Sequence, residues 1–265
     1  MQPTPGIGQP LKDGPPLNFD TYFFLAGLAA FLVGLSKGGL PAIGMLAVPL
    51  LSLAMSPVKA AVLLLPIYVI SDVMGIWLYR RDFSAPNLRI LLPAGILGVF
   101  VGWYTASMVS DRAITFMIGA MGVVFCLNVW LRKEANARAQ APHAGKGWFW
   151  GTVAGFTSFI SHAGAPPFQV YMLPQKLPKA EFAGTATIVF AVINAAKILP
   201  YQNLRPYAAE TLWSAATLIP FALVGAVGGA YLTRRIAEVW FYRIVQISLF
   251  GVSLKLVADA ATGGH

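Results

Sequence analysis

The sequence predicts an all-α integral membrane protein of two inverted repeats, each a broken segment (a half-helix pair) followed by three transmembrane helices. Three observations carry this. Of 265 residues 57% are hydrophobic and only 11% charged, with mean hydropathy +0.67, where a soluble domain carries about a quarter charged residues. The apolar runs between residues 21 and 258 suit helices of roughly 20 residues, not the alternating ten-residue strands of an outer-membrane barrel. Two of those runs are interrupted at corresponding places by a small-polar pattern, Ser36-Lys37-Gly38-Gly39-Leu40-Pro41 and Ser161-His162-Ala163-Gly164-Ala165-Pro166.

Residues 1–20 are rich in Pro and Gly and lack the charged, apolar and cleavage regions of a signal peptide, so they read as a flexible N-terminal tail. The first repeat is expected over 21–131. It opens on a broken segment, 22–53, with about 14 apolar residues on each side of the break. Each arm then reaches only about 21 Å, short of the roughly 30 Å hydrocarbon core, so two half-helices meeting in the membrane fit better than one span. Ordinary spans follow at 58–79, 87–107 and 113–131, and a charged cytoplasmic linker at 132–147. The second repeat, 148–258, has the same order: a broken segment over 148–177, spans at 180–200, 208–233 and 241–257, then a C-terminal tail, 259–265. Single residues pair as well: Gly34 with Gly155, Ser36 with Ser161, Gly39 with Gly164, Pro41 with Pro166, Pro49 with Pro174, Pro57 with Pro178, Pro93 with Pro220, Gly98 with Gly225, and Gly102 with Gly229.

Charge orients the halves. Arg80, Arg81 and Arg89 precede the third element of half one, and Arg132, Lys133, Arg138 and Lys146 occupy the linker, so both loops can be cytoplasmic. In half two the positive loop is Arg234-Arg235 through Arg243, one span later than its counterpart, while the loop at 202–207 carries only Arg205. The halves are then upside down relative to each other, provided each broken segment ends on the side it entered or crosses twice. Both termini are expected in the periplasm. Net charge +9 therefore reflects topology and not a nucleic-acid partner. Trp77, Tyr79, Trp103, Tyr104, Trp148, Trp150, Trp240 and Tyr242 fall near span ends, as interfacial belts do. The single cysteine, Cys126, forms no intramolecular disulfide and reads as an apolar filler.

A helix beginning in mid-membrane exposes unpaired N–H groups and a positive dipole end, which attracts anions. Pro41 and Pro166 stand where a first helical turn accepts proline, after glycines (Gly38, Gly39, Gly164) and Ala163 that let the chain unwind. Two such ends would converge on one anion, with Ser36 and Ser161 adding hydroxyls and Lys37 and His162 adding positive charge. The alternative is that the glycines only permit close packing and the prolines only kink. Lys37 either contacts substrate or snorkels to water from a re-entrant tip. His162 is either a structural donor or a proton carrier. Asp72, Asn194 and Lys197 occupy comparable depths in the two halves, and Asp72 either binds a coupling cation, pairs with a lysine or sits near Arg80 and Arg81 at the headgroups. Gln169 and Asn194 could donate amide bonds to an oxyanion or to a neighbouring helix. The coupling-ion candidates are thus Asp72, His162 and Lys197; no metal or cofactor is expected.

The glycine-rich broken segments over 34–49 and 155–174, the Gly-Thr-Ala-Thr stretch at 184–187 and the stretch over 93–102 resemble the sulfite exporter TauE/SafE family across residues 21–258. The resemblance implies transport of sulfite, sulfoacetate or related sulfonates across the bacterial inner membrane, with a small anion and the lipid bilayer as partners. Proton and sodium gradients are the coupling options. Alternating access around the paired helix tips is the expected mechanism. A passive anion channel is the alternative, needing a continuous pore. An intramembrane enzyme is disfavoured: Ser161 and His162 point about 100 degrees apart on a helix, and neither a G-x-S-x-G elbow nor an H-E-x-x-H pair is present.

Overall fold

The computed structural model describes residues 19–51, 54–55, 57–105, 111–131, 139–204 and 208–262. Most of the expected N-terminal tail lies outside them, as do Arg132, Lys133, Arg138 and Arg205. Among the described residues every regular element is helical, as lipid demands of a backbone that must satisfy its polar groups internally. Half one holds α1 (Phe19–Lys37), α2 (Pro41–Gly44), α3 (Ala47–Leu51), α4 (Pro57–Leu78), α5 (Ala85–Thr105) and α6 (Asp111–Leu131). Half two holds α7 (Ala144–Ser161), α8 (Ala165–Met172), a 3-10 turn (Leu173–Gln175), α9 (Lys179–Leu204), α10 (Ala209–Arg235) and α11 (Glu238–Thr262). Within α4, α5, α9, α10 and α11 lie 5 segments long and apolar enough to cross a membrane.

Both broken segments interrupt where the small-polar residues stand, but their arms are unequal. α1 has 19 residues and α7 has 18, about 28 and 27 Å at 1.5 Å per residue. After the breaks come only 4 residues in α2, 5 in α3 and 8 in α8. The matched half-helices of similar length are corrected on this point. α1 continues through the polar pair because Ser36 Oγ bonds its own helix, donating to the Val33 carbonyl at 2.6 Å, and the chain turns only at Gly39, whose φ of 113 suits glycine.

Three boundaries also move. α7 starts at Ala144, inside the expected linker 132–147, because His143 caps it: its Nδ1 accepts from the Lys146 N–H at 3.3 Å. α9 runs through Pro200 to Leu204. α11 runs to Thr262 and absorbs most of the expected tail 259–265, helped by a Lys255–Asp259 pair one turn apart and by Arg112 Nε donating to the Ala260 carbonyl at 2.6 Å.

Each broken segment turns back on itself. Ala47 and Leu51 of α3 share a buried cluster with Ala26, Ala29, Ala30 and Val33 of α1. In half two the Tyr171 hydroxyl accepts from His143 N at 3.3 Å, beside the entry to α7. The long helices then exchange partners between halves, α1 packing on α10 and α7 on α5. A Cβ on Gly34 would meet the Ala222 carbonyl oxygen at 1.9 Å, and one on Gly225 the Phe31 oxygen at 2.3 Å. The other pair repeats this: Gly155 against the Gly95 oxygen at 2.0 Å and Gly98 against the Thr152 oxygen at 2.1 Å. Small residues let these backbones touch, the usual means of association where lipid removes the hydrophobic drive.

Candidate functional site

The two breaks meet at one buried place, held there by hydroxyls from other helices. The end of α1 leaves carbonyls without helical partners. Thr187 Oγ1 of α9 donates to the Lys37 carbonyl at 3.1 Å, and the Gly38 carbonyl accepts from the Tyr79 hydroxyl at 2.5 Å and from Thr233 Oγ1 at 2.9 Å. α7 ends differently. His162 adopts a left-handed conformation (φ 53, ψ 20), its N–H donating to the Ser158 carbonyl at 3.1 Å, while Thr157 Oγ1 donates to the Ala163 carbonyl at 3.0 Å. Non-glycine residues rarely sit there, though histidine tolerates it better than most.

Between the breaks lies a cavity of about 30 Å³, room for one or two waters. Ser36, Lys37, Pro41, His162 and Asn194, all expected at the site, line it. Gly38, Gly39, Ala163, Gly164, Pro166 and Gln169 are not among its lining residues. Gly38, Gly39, Ala163 and Gly164 shape the turns instead. Gln169 is fully buried with neither amide atom hydrogen-bonded. Ser161 ends α7, and its side chain lies outside those described. Gly44, Tyr68, Ser158 and Thr187 line the cavity without having been expected there; hydroxyls and a small residue inside apolar helices give no local signal.

The polar side chains form two connected groups. In the first, Lys37 Nζ lies 2.6 Å from Asp72 Oδ1, and Asn194 Nδ2 donates to Asp72 Oδ2 at 2.8 Å. Of the readings open for Asp72, the lysine pair is the one formed, and both side chains are 4% exposed. In the second, Lys197 Nζ lies 3.2 Å from His162 Nδ1, with the Tyr201 hydroxyl 3.5 Å from Nε2 and donating to the Phe159 carbonyl at 2.9 Å. Tyr68 joins the two: its ring stacks on His162 (5.2 Å between centroids, 10° between planes), Lys37 Nζ lies 5.0 Å from its centroid, and its hydroxyl donates to the Gly44 carbonyl at 2.7 Å.

Lys37, Asp72 and Lys197 are the only Asp, Glu, Lys or Arg buried among the described residues. Two lysines thus share this interior with one carboxylate. Lys197 is fully buried, and the His162 ring nitrogen is its polar contact. A buried charge without a counterion is unfavourable by several kcal/mol.

The helix tips offer few backbone donors. α2 is a single turn of 4 residues whose first, Pro41, has no N–H, and a dipole needs aligned peptides. α8 starts at Ala165 with Gly164 as N-cap, and Pro166 and Pro167 delete the next two donors. In its first three positions only Ala165 has an N–H to offer, and the fourth, Phe168 N, donates to the Gly164 carbonyl at 3.3 Å.

A family model described as Sulfite exporter TauE/SafE matches residues 26–256. No curated protein and no solved structure matches the chain.

Proposed function

The chain belongs to the sulfite exporter TauE/SafE family, a family of transporters, and from that premise we propose that it is a secondary carrier of a small sulfur-bearing anion across the bacterial inner membrane. One observation carries the reading: a cavity between two broken helices lined by Lys37 and His162, with Lys197 buried behind the histidine and Asp72 already paired with Lys37. Sulfite and short sulfonates suit such a place, offering compact negative charge and several acceptor oxygens to Lys37, His162 and the Ala165 N–H.

The reading takes the halves as inverted repeats. In support, residues paired from sequence make reciprocal contacts: Gly34 touches the residue three before Gly225, and Gly155 the residue three before Gly98. Contacts at the helix ends support the same reading. Arg234 Nη2 donates to the Leu78 carbonyl at 2.9 Å and Lys179 Nζ to the Arg234 carbonyl at 2.9 Å, gathering the ends of α4 and α10 with the start of α9. The start of α6 meets the end of α11 through Arg112. With Arg80, Arg81, Arg234 and Arg235 in the cytoplasm, both termini face the periplasm. Rocking of one half on the other would open the small cavity alternately to each side.

The experiment is anion uptake into proteoliposomes together with thermal-shift titration of the purified protein. Sulfite or a short sulfonate is expected to raise the melting temperature and to enter with saturation, driven by a proton or sodium gradient. Lys197→Gln should abolish the shift while the protein still elutes as a monodisperse species. Ohmic anion conductance would replace the carrier with a channel, and an unchanged shift in Lys197→Gln would remove the anion site from this cluster.

A further inference from the structure

A finer statement about the transport cycle follows from the contact behind the cavity and rests on the reading that the cavity holds an anion. Lys197 Nζ of α9 lies 3.2 Å from Nδ1 of His162, the C-cap of α7, and both side chains are buried. A hydrogen bond between two basic nitrogens needs one lone pair and one N–H, so the pair shares a single added proton, and a second would set two cations in contact. Lys37 of α1 and Asp72 of α4 act on Lys197 with opposite sign and are paired with each other at 2.6 Å. Tyr68 and the Ala61 backbone of α4 meet the imidazole, as does Tyr201 of α9. Among the described residues no other Asp, Glu, Lys, Arg or His is buried, so α2, α5, α10 and α11 bring no further buried charge to the pair. A proton held here is therefore short of a counterion, and an anion in the cavity, which His162 lines, supplies one.

We propose that the Lys197–His162 pair is the coupling site and that the coupling ion is a proton, taken up with each anion and given back when the anion leaves. The proton enters from water through the cavity, rests on a nitrogen of the pair while the guest is present, and returns to water with it; no bond of the guest is made or broken. Such coupling is reciprocal: the proton raises affinity for the anion by the factor by which the anion raises affinity for the proton. A hard cation such as sodium would need a cage of oxygens, and Asp72, the one buried carboxylate among the described residues, already holds Lys37 at 2.6 Å and Asn194 at 2.8 Å.

Calorimetric titration of the full chain in two buffers of different ionisation heat counts the protons taken up per anion bound. The probe is methanesulfonate, which does not titrate near neutral pH, or fully ionised sulfite at alkaline pH where that is the anion that binds. With N-methylglucamine as the only added cation, the wild type should bind and take up close to one proton per anion on the alkaline side of the pair's titration, where affinity falls about tenfold per pH unit. Lys197→Arg, permanently charged, should bind with no proton uptake and with an affinity that stays flat over the same range. Binding without proton uptake in the wild type, an absolute need for sodium, or uptake unchanged in Lys197→Arg overturns the proton site while leaving the anion site standing. Binding of neither anion overturns both readings. Should Lys197→Arg fail to fold, His162→Asn decides: asparagine tolerates the left-handed φ of 53 and does not titrate, so the pH at which affinity begins to fall should move by about one unit or more, and an unmoved midpoint overturns the proposal.

Discussion

Breaking the Lys37–Asp72 pair should cost far more than removing it. The ions are 2.6 Å apart and 4% exposed, so each has lost its water. Truncating one partner of such a pair strands the other and costs about 3–5 kcal/mol, whereas replacing both with apolar groups of similar volume is often near neutral. Asp72→Leu also orphans the Asn194 amide that donates to Oδ2, adding roughly 1–3 kcal/mol. Lys37→Met leaves Asp72 with Asn194 and falls near the lower figure. The expected double-mutant cycle therefore has single costs of about 3–8 kcal/mol, and a coupling energy of several kcal/mol in the pair's favour. Because Asn194 stays orphaned in the double variant, the triple variant with Asn194→Leu should recover most of the remaining loss. The assay is thermal melting in detergent without added oxyanions, where a kcal/mol corresponds to about 2–4 °C for a chain of this size, so each single variant should melt at least about 6 °C lower. Additive single costs, or single variants melting within about 1 °C of wild type, would refute the claim that these charges are desolvated and mutually dependent.

Packing at the exchanged helix pairs gives a sharper structural test. Gly155→Leu or Gly98→Leu places side-chain atoms where a backbone oxygen lies 2.0 or 2.1 Å from the new Cβ, so α5 and α7 must separate; both should lose the monodisperse size-exclusion peak, while Gly228→Ala and Gly251→Ala, with nothing within 4 Å, should keep it. His162→Gly separates conformation from chemistry: glycine suits φ 53, so the loss of the Tyr68 stack and the Lys197 contact should leave a folded protein whose anion affinity, read by the same thermal shift, falls about tenfold or more.

The membrane class and the order of spans were legible because hydropathy is a local sum, and α4, α5, α6 and α10 start and stop within two residues of where apolar runs place them. The breaks were legible for the same reason, since Gly38-Gly39 and Gly164 with its following prolines disturb a helix wherever they occur. The fate of Asp72 was not. Its three sequence-level readings differ only in what stands opposite, and the answer, Lys37 with Asn194, lies across 122 residues of chain in one of its two bonds. Thr187 on the Lys37 carbonyl spans 150, and nothing about a threonine in an apolar helix announces such a role.

By itself the amino-acid sequence determined that this chain lies in lipid as helices, where it breaks, and which residues are too polar to be there without a reason. Only tertiary structure decided how those polar residues divide: Lys37 paired with Asp72, Lys197 set against the His162 ring nitrogen, α2 cut to a single turn and α8 opening on two prolines. The physical reason is that burial and hydropathy are properties of a residue and its neighbours along the chain, whereas whether a buried charge is cancelled depends on which other helix is placed against it.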